Sequence, residues 1–210
     1  MKLLAGVFSV GLLICGTGVF GAPMYRAGEN NSSARSWLHG EISGGYVFSS
    51  NRVEYVTEED SSSRLRGVEV RALWSPLSWL SVGAEMDRLG DEKLSPMIKA
   101  YRINRQAGLI KLTLTPNTTP RFYLIGGYGK SEHKLTYEDF YFGTRNKRPA
   151  ITKDLHYWTV GLGVEADVWK CLFVGMEGNW VRYNDNQLNQ IFKMSSRVET
   201  DIRVRVGLRF

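Results

Sequence analysis

The sequence predicts an all-β fold: one eight-stranded, antiparallel, up-and-down transmembrane β-barrel. Three observations lead there. Apolar and polar residues alternate in segments of about ten residues, the length at which a tilted strand crosses a bilayer. The connections between segments are alternately short and long, as in a membrane barrel with tight turns on one side and longer loops on the other. Aromatic residues gather at the segment ends, where two water–lipid interfaces would hold them.

The 210-residue chain carries 27 Lys+Arg against 21 Asp+Glu, a formal net charge of +6, and its mean hydropathy is −0.24. That composition excludes a bundle of membrane helices. Met1-Lys2 precedes the uncharged run LLAGVFSVGLLICGTGVFGA, so residues 1–22 read as a signal peptide cleaved near Gly21 and Ala22. Residues 23–36 read as a flexible N-terminal segment and 37–210 as the barrel. If Cys15 leaves with the signal peptide, Cys171 remains alone and no internal disulfide is expected.

Residues 37–48 open the barrel, with Ile42, Tyr46 and Phe48 on one face and Glu41 and Ser43 on the other. Residues 64–74 set Val68, Val70, Ala72 and Trp74 against Glu69 and Arg71. Residues 79–88 set Leu80, Val82, Ala84 and Met86 against Glu85 and Asp87. Within 98–114, Ile110, Leu112 and Leu114 oppose Lys111, yet Tyr101 and Ile103 fall on the other parity. A β-bulge near Gln106 to Gly108 would reset that phase. Residues 121–130 (RFYLIGGYGK) place Phe122, Leu124 and Tyr128 together. Residues 155–168 set Trp158, Val160, Leu162 and Val164 against Glu165 and Asp167. Residues 172–183 set Val174, Met176 and Trp180 against Glu177. The last strand, from Arg197, alternates to the final residue.

Short connections fall at 75–78, 115–120 and 169–171, and longer ones at 49–63, 89–97, 131–154 and 184–196. Trp37, Trp74, Trp79, Trp169 and Phe210 lie at the short-turn level, and Tyr46, Phe48, Tyr128, Trp158 and Trp180 near the opposite rim. In lipid every backbone group must be paired, so the sheet closes with its apolar face outward. The narrow interior then holds Glu41, Glu69, Arg71, Glu85, Asp87, Lys111, Glu165, Asp167, Glu177, Arg203, Arg205 and Arg209 as a lumen charge network.

The closing strand Val204-Arg205-Val206-Gly207-Leu208-Arg209-Phe210 and the segment RFYLIGGYGK resemble the small outer-membrane barrels of Gram-negative bacteria, of the OmpX/Ail type and the OmpA membrane domain. The resemblance implies an outer-membrane location with both ends periplasmic. It implies an assembly signal at Val204, Val206, Leu208 and Phe210, read by the barrel-assembly machinery. The other partners expected are outer-membrane lipid and lipopolysaccharide, and a host or surface ligand.

For function, a non-enzymatic envelope role through extracellular loops is expected, structural or as an adhesin. Tyr137, Phe140, Tyr141 and Phe142, close to Arg145, Lys147 and Arg148, suit protein or glycan recognition. The alternatives are a lipid A-modifying enzyme, for which His156 is the one serious residue, and a small-solute channel through the lumen charges. No catalytic constellation, cofactor motif or metal-ligand spacing is read. His39 is expected in the lumen beside Arg209. The basic charges are not clustered, so no nucleic-acid partner is expected.

Overall fold

The structure is a computed structural model and describes residues 39–54, 64–92, 98–141, 144–147, 151–184, 193–194 and 198–210. The segments read as signal peptide and N-terminal linker lie outside these, as do Trp37, Phe142 and Arg148.

Eight long strands form the wall: β1 (Gly40–Glu54), β2 (Arg64–Leu77), β3 (Leu80–Glu92), β4 (Ile98–Thr113), β5 (Arg121–Tyr141), β7 (Ile151–Asp167), β8 (Leu172–Tyr183) and β10 (Val198–Arg209). Two short strands are added at the loop end: β6 (Thr144–Lys147) pairs with β5, and β9 (Lys193–Met194) pairs with β1. Each long strand pairs antiparallel with the next, and β10 returns to β1 from Glu41↔Arg209 to Ser49↔Asp201. Two backbone hydrogen bonds seal the seam, Gly40 N–H to the Phe210 carbonyl at 2.8 Å and Phe210 N–H to the Gly40 carbonyl at 3.0 Å. Closure leaves no edge among these eight strands, the condition for crossing lipid.

The outer face is apolar over a limited height. Ile42, Tyr46, Val70, Trp74, Met86, Ile110, Leu124, Tyr128, Leu162, Trp180, Ile202 and Val204 are all exposed there. At the short-turn end Trp74, Trp79 and Trp169 are exposed, the last at 71 %. At the other end the outward residue changes abruptly to Arg66, Arg88, Gln106, Lys130, His156 or Arg182 on successive strands.

Beyond that line the strands continue and the faces exchange character. Arg88 points out while Leu89 is fully buried; Lys130, Glu132 and Lys134 point out while Leu135 is buried. Leu65, Ile103 and Leu155 are buried on the inside at this level too. The solvent outside changes from lipid to water, so apolar side chains there gain by facing inward. This corrects the expected bulge in the fourth strand. β4 keeps an unbroken register with both neighbours through Gln106, Ala107 and Gly108. Tyr101 and Ile103 face the interior because they stand above the apolar band.

Cys171 lies in the turn before β8, and the one other cysteine, Cys15, falls outside the described residues. The expectation of an unpaired Cys171 applies only to a chain that has lost residues 1–22, which contain the one other cysteine.

Candidate functional site: the barrel interior

Strand alternation alone decides which residues enter the lumen, and register decides their height. Glu41 on β1, Arg71 on β2, Glu85 on β3, Lys111 on β4, Glu165 on β7, Glu177 on β8 and Arg205 on β10 are each no more than 4 % exposed. A charge buried this fully needs a partner at contact distance.

Three layers supply the partners. Nearest the short turns, Lys111 Nζ lies 2.9 Å from Glu41 and 2.8 Å from Glu165, tying β4 to β1 and β7 across the lumen. Arg209 reaches Glu165 at 2.6 Å and Asp167 at 2.7 Å, and Arg121 reaches Asp167 at 2.7 Å. Asp167 and Arg209 keep about a third of their side chains exposed, at 33 % and 28 %, so this layer is the mouth.

In the middle layer Arg71 donates to Glu85 and, at 2.9 Å, to both carboxylate oxygens of Glu177. Arg203 pairs with Glu69 at 3.0 Å and with Glu85; Arg205 pairs with Glu177 at 2.5 Å and contacts the Tyr123 hydroxyl. Tyr123 in turn donates to Glu177 at 2.9 Å. Two inward glycines make room. A Cβ at Gly163 would collide with the Tyr123 ring, and one at Gly45 would lie 2.6 Å from Arg205 Cγ.

In the upper layer Arg105 donates to Asp87 at 2.8 Å and to Asp201 at 2.6 Å, and Glu199 accepts from Tyr183 at 3.2 Å. Arg203 links this layer to the middle one through Asp87 and Asp201, each at 3.4 Å. Among the described residues, Glu69 Oε1, Arg203 Nε and Arg205 Nη1 are buried without a hydrogen-bond partner, so the network is not saturated.

Above the charges, and above the apolar band, His133 is closed in. Ser131 donates to the Leu155 carbonyl at 3.4 Å, which leaves its oxygen to accept from His133 Nε2 at 3.0 Å; Nδ1 then accepts from Tyr101 at 2.6 Å. Burial first, and then the nearby Arg105 and Lys153 charges, push the imidazole down to about 3. Leu65, Leu89, Ile103, Leu135 and Leu155 close the interior around this level.

All twelve residues expected in the lumen lie on the inward parity, with Asp167 and Arg209 at its mouth. Arg105, Arg121, Glu199 and Asp201 share that inward parity and are not among the twelve. Arg105 was hidden by the assumed bulge, since without a phase reset it shares the parity of Lys111. Glu199 and Asp201 share the parity of Arg203, Arg205 and Arg209 on the last strand, which is the signal that finds them. His39 is not in the lumen beside Arg209: it is exposed, with its carbonyl accepting from Ser75 N–H at 2.8 Å. It precedes β1, where alternation no longer governs direction. His156 faces outward and stacks on Tyr128, ring centroids 5.8 Å apart.

The tip between β5 and β7 is described in backbone only. Phe140 pairs with Arg145 and Tyr141 with Thr144, while Tyr137 lies opposite Ile98 of β4 and Lys147 opposite Glu138.

No family model and no curated protein matches the chain. Solved structures do. The attachment invasion locus protein Ail of Yersinia pestis has 14 % identity and a TM-score of 0.55, over 82 % of this chain and 99 % of that one. The same protein in complex with the heparin analogue sucrose octasulfate gives 14 % identity and 0.52, over 82 % and 99 %. Neisserial surface protein A has 11 % identity and 0.51, over 83 % and 98 %. At such identities the likeness concerns the fold, which is that of the small outer-membrane barrels.

Proposed function

We propose that this chain is a non-enzymatic surface protein of the bacterial outer membrane, both ends periplasmic, which makes contact with the cell's surroundings through the tip at residues 136–148. The observation that carries this reading is the length of the wall. Crossing a bilayer takes about 9–11 residues of strand. β5 has 21 residues and β7 has 17. Their surplus extends beyond the line marked by Lys130 and His156 as a water-facing arm with its own buried apolar interior. Such an arm holds a recognition tip away from the lipid. Tyr137, Phe140, Tyr141 and Phe142 supply aromatic anchors there, and Arg145, Lys147 and Arg148 supply cations.

The fold likeness to a protein whose name speaks of attachment, and which has been solved with a heparin analogue, favours a host or surface ligand of polyanionic character. The charge-filled lumen favours a structural interior over a conducting one. On β10, Val204 and Val206 are exposed on the outward face and Leu208 is half-buried, with Phe210 at the seam. That arrangement suits a signal for the assembly machinery.

Deletion of residues 136–148 tests the reading. Bacteria carrying the deleted protein should lose binding to host cells or to sulfated-glycan surfaces, while the barrel still shows heat-modifiable migration. Undiminished binding by the folded deletion variant would refute it.

A further inference from the structure

The outer wall is uneven in two respects, and both single out the same side. The first is charge. Above the apolar band β2 to β5 turn Arg66, Arg88, Arg102, Lys130 and Lys134 outward, with Glu132 among them accepting from Asn104 at 2.9 Å. Across the barrel, among the described residues, β8 and β10 present Arg182 alone, beside Val198 and Thr200. The second is filling. Gly108 and Gly126 on β4 and β5 carry no side chain, and Ala84 of β3, opposite Gly108, carries only a methyl. A groove of about 690 Å³ results, walled by Val82, Ile110, Leu124 and Tyr128. A second hollow, of about 480 Å³, continues it past Gly108 to Gln106, Lys130 and His156. The floor is open: a Cβ at Gly108 would meet nothing within 4 Å.

Strand register sets the cations around the mouth of this groove. Arg66 pairs with Gly90, two residues from Arg88 on the same strand, so the two arginines stand about 8 Å apart at the backbone. Lys130 pairs with Gln106 and with His156. Arg88 pairs with Asn104, which puts Lys130 two strands and two residues away from it, about 12 Å. Two poles result, Arg66 with Arg88 on one side and Lys130 with His156 on the other, and the groove opens between them. Its depth matches one leaflet. From Leu124 to Lys130 the strand climbs about 20 Å, which a tilt of about 40° turns into about 15 Å, half of a hydrocarbon core.

We propose that this side of the wall is a one-to-one site for the bis-phosphorylated, acylated disaccharide at the base of lipopolysaccharide. One phosphate lies at Arg66 and Arg88, the other at Lys130 and His156, and an acyl chain descends over Gly108 and Gly126. This rests on the orientation proposed above, with the loop end outside, and not on what the tip recognises. A disaccharide with a phosphate on each sugar answers both poles; a phospholipid, with one phosphate, leaves one pole unanswered. A second copy of the chain suits the groove less well. Small residues do let two backbones approach in lipid. A two-fold pairing on this face would, however, bring Arg88 and Lys130 of one copy against their equivalents, doubling like charge.

Native mass spectrometry of the full chain released from detergent micelles tests this. The probes are bis-phosphorylated lipid A, the same lipid with one phosphate removed, and dimyristoyl phosphatidylglycerol. One bis-phosphorylated lipid should remain bound per chain, and the other two should be retained less. Gly108→Leu and Gly126→Leu, which fill the groove, should each lower its retention roughly tenfold, the equivalent of a few buried methylenes. Arg88→Gln and Lys130→Gln should each lower it up to about fivefold, the worth of one exposed charge pair. Arg182→Gln, across the barrel, should leave it unchanged, and all five variants should keep heat-modifiable migration. Equal retention of the monophosphorylated lipid or of phosphatidylglycerol would overturn the proposal. So would unaltered retention in the filled variants, a loss in Arg182→Gln equal to that in Lys130→Gln, or a dimer that Gly108→Leu dissolves. Retention is read on the isolated chain, so its failure leaves the surface-binding test of the tip deletion untouched.

Discussion

Arg71 on β2 and Glu177 on β8 meet across the lumen at 2.9 Å, although 106 residues separate them and two further strands lie between them in the wall. Pairs of this kind are struts: they bind opposite walls, whereas the backbone ladder binds only neighbours. Arg71→Met would leave Glu85 to Arg203 alone and Glu177 to Arg205 alone, each buried with one cation fewer. Breaking one side of a buried pair costs about 3–5 kcal/mol. A matching fall in the free energy of urea unfolding, measured in lipid vesicles, is expected. Arg71→Met with Glu177→Met should cost less than the two single changes added together.

The same struts predict a silent barrel. The charged side chains that line the lumen are paired with one another, though single atoms of them stay unbonded, and Leu65, Leu89, Ile103, Leu135 and Leu155 lie buried above them. Planar bilayers containing the protein should show no unitary current, and Arg203→Ala should leave them silent. Stepwise conductance altered by Arg203→Ala would instead establish a channel.

Gly163 fixes the position of Tyr123. The tyrosine ring occupies the space a side chain at 163 would fill, and its hydroxyl serves Glu177. Gly163→Val should displace the ring and cost about 1–3 kcal/mol by overpacking. The variant should migrate as a folded barrel yet unfold at a lower temperature. An unchanged midpoint would show that the interior is looser than described.

His133 makes the extramembrane end sensitive to acid. The imidazole is held down to about 3 in the folded protein, against an ordinary 6.5, so it is neutral when folded and takes up a proton on unfolding below 6.5. Its contribution is complete above that value and is lost progressively as the pH falls further. Between pH 7 and pH 5 the unfolding midpoint should drop more for the unaltered chain than for His133→Phe. Parallel slopes would remove His133 as the cause.

Much of this architecture was legible because a strand in a membrane has two different solvents, and alternation records both. Val204, Val206 and Leu208 against Arg203, Arg205 and Arg209 is such a record. Where the outer solvent changed, the same rule misled. Past Gln106 the apolar residues moved to the inside, which in sequence looks like a phase slip and suggested a bulge; Arg105 was lost with it. The strand ends of β5 and β7 were placed near Lys130 and Leu155 because the apolar band stops there, whereas the hydrogen-bonded wall does not. The partners within the lumen depend on barrel closure and stagger, so that Lys111 meeting Glu41 across the interior follows from no local pattern.

The claim on which the rest depends is that lipid ends and water begins at one line on the outer wall. Spin labels at single cysteines replacing Leu124, Gly126, Tyr128, Lys130, Glu132 and Lys134, in the protein reconstituted into bilayers, read that line directly. High oxygen accessibility at 124, 126 and 128, giving way to high accessibility to a water-soluble relaxant from 130 onward, is the predicted profile. Oxygen accessibility continuing through 134, or water accessibility along the whole series, would contradict it.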